Sequence, residues 1–250
     1  MIPADIAIQQ FLQKKGYNKF TLKAVLFDMD GVLYDSLPNH ASSWVTVMRN
    51  NGLNMTEADV YLNEGRIGYD TIGIIANREG KIIDPEDRKR IYQEKTILFN
   101  SYPPVSLMPF SRQLLQKIMT DKLLAFVVSG SGQPSLIERI CQDFQGVFTP
   151  DNIVTSFNVN KGKPHPEPYL TALEKGRLNA CEAIVVENAP IGIESACAAG
   201  LFVIAVNTGP LPDSVLLNSG ANILFSSVET LFDEWEQLYD CLLQTEFRIS

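Results

Sequence analysis

The chain has 250 residues, 45% hydrophobic and 20% charged, as in a soluble globular protein with room for one large domain or a core carrying an insertion. A formal net charge of −8 argues against nucleic acid or an anionic membrane as partner, and no apolar run approaches membrane-spanning length. Cys141, Cys181, Cys197 and Cys241 show no Cys-x-x-Cys spacing and no signal peptide precedes them, so free thiols in a reducing cytoplasm are expected; with only His40 and His165, a multi-histidine zinc site is not.

Residues 1–20 carry Ile6, Ile8, Phe11 and Leu12 among polar residues, which predicts a short amphipathic helix ending near Gly16. Residues 24–28 form an apolar, β-branched run that reads as a buried strand. From 38 to 103 the apolar residues fall at helical spacings (Trp44, Val47 and Met48; Ile72, Ile74 and Ile75). Gly52, Gly65, Gly68, Gly73 and Gly80 are expected to break that run into short helices, and Pro103-Pro104 closes it. This stretch reads as a helical cap inserted into a domain made of 21–37 and 104–250. From 107 onward helices (111–119, 135–141, 168–176 with a glycine stop, 190–199, 228–243) alternate with strands (123–128, 152–155, 183–186, 201–206, 223–225). Strands alternating with helices imply an α/β core of Rossmann-like type, with a mainly parallel sheet and right-handed crossovers.

Three of these strands end in polar clusters: Asp28 and Asp30 before the turn at Gly31; Ser129-Gly130-Ser131-Gly132; and Glu187-Asn188. In a parallel sheet such ends share one edge, where ligands bind. A fourth polar group lies in Lys161-Gly-Lys163-Pro-His-Pro-Glu-Pro168, where prolines stiffen the loop around Lys163. Two carboxylates at i and i+2 repel one another, which favours a shared proton or a bound cation; one can act as nucleophile while the other transfers protons. Carboxylates bind Mg²⁺ through oxygen, a Ser-Gly-Ser turn can hold phosphate oxygens, and a lysine offsets the charge on a transferring group. The four groups together suit phosphoryl transfer from a small phosphorylated substrate.

In that order and spacing the motifs resemble the haloacid dehalogenase superfamily, in its β-phosphoglucomutase-like branch with an α-helical cap, from Lys23 to about Phe225. The resemblance implies Mg²⁺ as cofactor, Asp28 as a nucleophile forming an aspartyl-phosphate, and Asp30 as general acid/base with its backbone carbonyl on the metal. It implies that Ser129, with Gly130 and Ser131 beside it, holds phosphate, and that Lys163 neutralises charge. Dehalogenases of the superfamily lack the second aspartate, so Asp30 argues against dehalogenation.

The chain departs from the family at Asn188, where an aspartate is usual. Asparagine can still ligate Mg²⁺ through its carbonyl oxygen, with one negative charge fewer. Glu187, or Glu64 in the cap sequence Asn63-Glu64-Gly65-Arg66, is expected to complete the metal site. Ser36, His40 and Trp44 resemble the mutase hinge and first cap helix, and Lys95 sits where the mutase branch has a lysine working with that histidine. The mutase arginine for a distal phosphate aligns with Gly68, with Arg66 the nearest replacement. A cap carboxylate at Glu64 repels a second phosphate unless a metal intervenes. The first expectation is therefore a monomeric, cytoplasmic phosphohydrolase acting on a sugar phosphate or on inorganic pyrophosphate, a substrate known in this branch. The second is a β-phosphoglucomutase interconverting β-glucose 1-phosphate and glucose 6-phosphate. The third, from another class, is a non-catalytic phosphate-binding protein.

Overall fold

A computed structural model describes residues 3–131 and 134–246 of the chain. Helix α1 (Ala4–Lys15) turns Ala7, Ile8, Phe11 and Leu12 inward and ends at Gly16, whose φ of 70° is the left-handed cap that glycine adopts freely. Strand β1 (Ala24–Phe27) follows, buried along its whole length as expected of a central strand in a parallel sheet. Four helices come next: α2 (Leu37–Asn50), α3 (Glu57–Leu62), α4 (Gly68–Arg78) and α5 (Pro85–Ser101). Gly73, expected to interrupt them, lies inside α4, where the missing side chain makes room for Arg88 of α5.

The alternation then runs α6 (Ser111–Thr120), β2 (Leu124–Val128), α7 (Pro134–Asp143), β3 (Ile153–Val154), α8 (Glu167–Gly176), β4 (Ala183–Glu187), α9 (Pro190–Ala198), β5 (Phe202–Val206), α10 (Asp213–Asn218), β6 (Ile223–Phe225) and α11 (Val228–Gln244). Helix α10 has no counterpart in the sequence reading; its six residues are too few to show a period. All strand pairs are parallel and the order is β3-β2-β1-β4-β5-β6. The α/β Rossmann-like architecture expected from the alternation is the one found.

Successive side chains of a strand point to opposite faces, so the sheet has two cores. Val25 and Phe27 of β1 pack with residues of α1, α6, α7 and α11, while Ala24 and Leu26 pack with residues of α8, α9 and α10. The α2–α5 segment has a hydrophobic cluster of its own, built on Trp44, Met48, Val60, Ile72, Ile75 and Ile91. Each such burial contributes about 1.5–3 kcal/mol, so these helices hold one another. The four cysteines are unpaired. No described helix is long and apolar enough to cross a membrane.

Register then places the chemistry. Phe27 stands opposite Val127 on one side and Val186 on the other. The residues just beyond these three positions come together at one sheet edge, where the strand order reverses around β1.

Candidate active site

Asp28 extends the ladder by one bond, its N–H donating to Val186 O at 3.0 Å, and so leaves the sheet in fixed orientation. The chain then turns at Gly31, whose φ is +83°. A side chain there would also put Cβ 2.1 Å from Asn188 Nδ2, so Gly31 both makes the turn and admits the Asn188 amide beside the two aspartates. Asn188 Oδ1 is buried and has no hydrogen-bond partner, a costly state for a carbonyl oxygen unless something binds it.

Lys163 is fully buried among acceptors. Its Nζ donates to Asp28 Oδ1 at 2.5 Å, Glu187 Oε1 at 2.6 Å and Val128 O at 3.0 Å. Burial works against its charge, but Asp28 and Glu187 outweigh it and hold the ammonium above the ordinary lysine range. Burial also pushes the Asp28 carboxyl up, against the pull of Lys163 and with Glu187 and Asp30 adding repulsion.

Glu187 corrects one expectation. Its Oε1 also accepts from Tyr169 Oη at 2.8 Å, and its Oε2 accepts the backbone N–H groups of Asn188 and Ala189 at 2.9 and 3.1 Å. Gly192 is the floor beneath it, since a Cβ there would lie 1.8 Å from Oε1. Four donors occupy the carboxylate, so Glu187 is a support for Lys163 and not a metal ligand. Tyr169 was not foreseen: an aromatic residue in a helix reads as core, and only its hydroxyl partner reveals the second role.

Asp30 lies on the other side of the turn. Ser36 donates its hydroxyl to Asp30 Oδ1 at 2.5 Å, which is why this residue at the N-cap of α2 makes no side-chain cap bond. His40 Nε2 lies 3.2 Å from the same oxygen, and Lys95 Nζ lies 2.7 Å from His40 Nδ1. An ammonium can only donate to Nδ1, which places the imidazole proton on Nε2, facing Asp30. Burial opposes ionisation of Asp30, yet His40, Ser36 and Lys95 together hold its carboxyl below the ordinary range. Burial lowers Lys95 to about 8, with Glu64 and Asp30 opposing.

Glu64 arrives from the loop between α3 and α4. Ligand atoms of Asp30, His40 and Glu64 all lie within 4.8 Å of one another. Burial raises the Glu64 carboxyl, and the neighbouring Asp30 adds to the effect. The loop reaches this place because glycines meet there. A Cβ on Gly130 would sit 2.1 Å from Gly65 O, and one on Gly162 would sit 2.5 Å from Ile67 Cγ1. Ser129 is buried, and its Oγ accepts the Ser131 N–H at 3.0 Å, folding the turn after β2; Gly132 of that turn lies outside the described residues.

Between the helical segment and the sheet edge lies a cavity of about 40 Å³. Asp30, His40, Trp44, Glu64, Arg66 and Lys95 line it, with Gly130 and Ser131. Arg66 is half-buried and its Nε donates to Asn63 Oδ1 at 3.2 Å; burial lowers its guanidinium, with Asp70 and Glu194 opposing. Gly68, where the mutase arginine aligns, also lines the cavity, as do Thr71 and Tyr92, which were not singled out from the sequence because residues on separate helices carry no shared spacing.

Oxygen donors of the kind found here suit a hard divalent cation: a carboxylate from Asp28, one of whose oxygens takes Lys163, and the orphaned amide oxygen of Asn188.

The sequence model of the haloacid dehalogenase-like hydrolases matches residues 25–206, most of the chain. The chain belongs to that family. Within it, the chain is 30% identical to hexitol phosphatase A of Escherichia coli (strain K12), over 74% of this chain and 83% of that protein. It is 26% identical to the β-phosphoglucomutase of Bacillus subtilis (strain 168), over 86% and 96%. A solved structure from Bacteroides vulgatus, provisionally assigned as a β-phosphoglucomutase, superposes with a TM-score of 0.93 at 48% identity, over 96% of this chain and 98% of that one. The haloacid dehalogenase-like relatives thus include both phosphatases and phosphomutases.

Proposed function

We propose that the protein is a Mg²⁺-dependent phosphohydrolase of small phosphate esters, working through an aspartyl-phosphate. The observation that carries the reading is the placing of a cap carboxylate, Glu64, against Asp30 and His40 inside a cavity of only about 40 Å³. That volume holds about three waters and is far below the usual ligand pocket of about 300–1,000 Å³. The α2–α5 helices therefore act as a cap that opens to admit substrate and closes over a compact one.

Asp28, the Asp30 carbonyl and Asn188 would hold the cation, with Glu64 reaching it from the cap; when bound, it neutralises charge on the transferring phosphoryl group. Asp28 attacks phosphorus. Lys163, fixed by Glu187, balances the negative charge gathered at Asp28 and the phosphoryl oxygens. Ser129 and the adjoining backbone N–H groups hold the phosphoryl oxygens. Asp30 takes the proton of the water that cleaves the acyl phosphate, and that proton goes to the leaving oxygen of the next ester. Asp30 stays aimed because Ser36 and His40 grip one of its oxygens and leave the other for proton transfer. A protein that only bound phosphate would have no use for that arrangement.

The mutase reading is favoured by one feature, the Lys95–His40–Asp30 chain, together with the similarity to β-phosphoglucomutases. Against it, Glu64 faces the space a second phosphate would enter. Pyrophosphate, expected from the sequence beside sugar phosphates, has no counterpart in the names of the relatives described above, whereas phosphate esters do.

Phosphorus NMR tests the reading. The protein with Mg²⁺ is given β-glucose 1-phosphate with a trace of glucose 1,6-bisphosphate, a hexose 6-phosphate, glycerol 1-phosphate and pyrophosphate. Inorganic phosphate growing at the expense of an ester is the expected result. Glucose 6-phosphate growing without inorganic phosphate would establish the mutase instead, and loss of the pyrophosphate peak alone would move the substrate class.

A further inference from the structure

One wall of the cavity is made by two residues that exclude each other's side chains. Gly68 opens α4 and is buried; Tyr92 sits on α5, three residues before Lys95 and so on the same helix face. Both line the cavity. A Cβ at position 68 would lie 2.2 Å from Tyr92 Cε2 and 2.4 Å from Cδ2, far inside contact distance, and these are atoms in the body of the ring rather than its tip. The ring also has Trp44 beside it, centroids 6.2 Å apart at 30°, and Trp44 in turn has Lys95 Nζ 5.3 Å over its face. Tyr92 is therefore wedged between α4 and the group that holds His40.

A second glycine of α4 has the same relation to α5 without the same consequence. Gly73 faces Arg88, one helical turn before Tyr92, and neither lines the cavity. Close approach of the two helices accounts for Gly73. It does not require that the ring filling the other gap be large, nor that it stand at the substrate end.

We infer that Tyr92, seated on Gly68, sets the length of leaving group that the site accepts, confining it to phosphate esters of alcohols shorter than a hexose. The inference rests on the phosphohydrolase reading. In the closed site the phosphoryl group lies over Asp28 at the sheet edge and the leaving oxygen is next to Asp30. The alcohol must then extend away from the sheet, past His40 and Glu64, toward Tyr92. Tyr92 is a wall of the cavity on that side, so its ring shortens the path. Truncating the ring lengthens it.

Hydrolysis of glycerol 1-phosphate and of glucose 6-phosphate is compared in Tyr92→Ala, Tyr92→Phe and wild-type protein. The ratio of kcat/KM for the hexose ester to that for the glycerol ester should rise about tenfold or more in Tyr92→Ala, the scale on which pocket size discriminates, and stay near wild type in Tyr92→Phe. Gly68→Ala should lower kcat/KM for both esters in the wild-type background and cost nothing further in the Tyr92→Ala background. An unchanged ratio in Tyr92→Ala overturns the inference while leaving the hydrolase reading intact. Equilibrium binding of the two esters by calorimetry, in Asp28→Asn and in the Asp28→Asn/Tyr92→Ala double variant, separates the other case. If wild type hydrolyses neither ester but the double variant binds the hexose ester better, the hydrolase reading fails and the gate stands. If the double variant binds it no better, the gate fails as well.

Discussion

Asp30 shares one carboxylate oxygen between a serine and a histidine, and Lys95 decides which tautomer that histidine takes. Replacing Asp30 by asparagine keeps the shape and removes the proton transfer, so kcat should fall by about 10²–10⁴-fold. Lys95 gives this part of the site its pH dependence. It sits near 8 instead of the ordinary 10.5, so it loses its proton as pH rises through about 8, and the His40 tautomer is no longer enforced. Activity should drop on that alkaline limb, and the limb should be absent from the lower residual activity of Lys95→Met. Stability moves the opposite way. Between about 8 and 10.5 the folded protein binds one proton fewer than the unfolded chain, so this group makes the fold more stable as pH rises, an effect Lys95→Met abolishes. Denaturant titrations across that window measure it. At this scale the sequence was readable where chemistry demands a rare pattern: Asp28 and Asp30 around a turn, and a lysine in a proline-stiffened loop. It was not readable for Glu187, whose acidic side chain looked like a metal ligand. Two of its four donors follow it directly in the chain, but the other two, Lys163 from a distant loop and Tyr169 of α8, are brought to it only by the fold.

Elements were readable in proportion to their length and to how fully they are buried. The strands read well because central parallel strands are continuous apolar runs. Glycines misled where their role is packing. Gly176 looked like the stop of α8, yet it is helical. Arg177 makes the left-handed turn with φ 52°, and Gly176 instead makes room for Leu178 and Phe126. Helix α3 is too short to stand on propensity and is held by its ends. Thr56 and Asp59 cap it reciprocally, and Arg78 of α4 bonds both Asp59 oxygens, which lowers that carboxyl to about 2. Thr56→Ala should cost about 1 kcal/mol, seen as a melting temperature lower by about 2–4 °C. Because α3 leads into the Glu64 loop, kcat/KM should fall with it, whereas a serine in place of Thr56 should restore both.

The whole molecule works as two packed bodies meeting across a glycine seam. Gly65 of the loop between α3 and α4 lies against Gly130 of the turn after β2, backbone to backbone, and no side-chain rotation could make room for a methyl group there. Gly130→Ala should therefore hold the cap off the sheet edge. We expect kcat/KM to fall about 10²-fold, the cost of misplacing reacting groups by about 1 Å, with the melting temperature nearly unchanged. The sequence pointed to this meeting through the glycine-flanked Glu64 loop. It could not give the distance across the seam, because that depends on how two separately packed cores are set against each other. On the proposed function, closure would keep water from the phosphoryl group between Asp28 and Lys163. The direct measurement is to trap what Asp28 carries. Asp30→Asn protein, slowed in releasing the phosphoryl group, is mixed with Mg²⁺ and its best ester substrate, quenched in acid and digested. Mass spectrometry should find a phosphoryl group on the peptide containing Asp28, absent from the Asp28→Asn/Asp30→Asn double variant. Inorganic phosphate released in a first turnover with no phosphoryl group on Asp28 would contradict the covalent account.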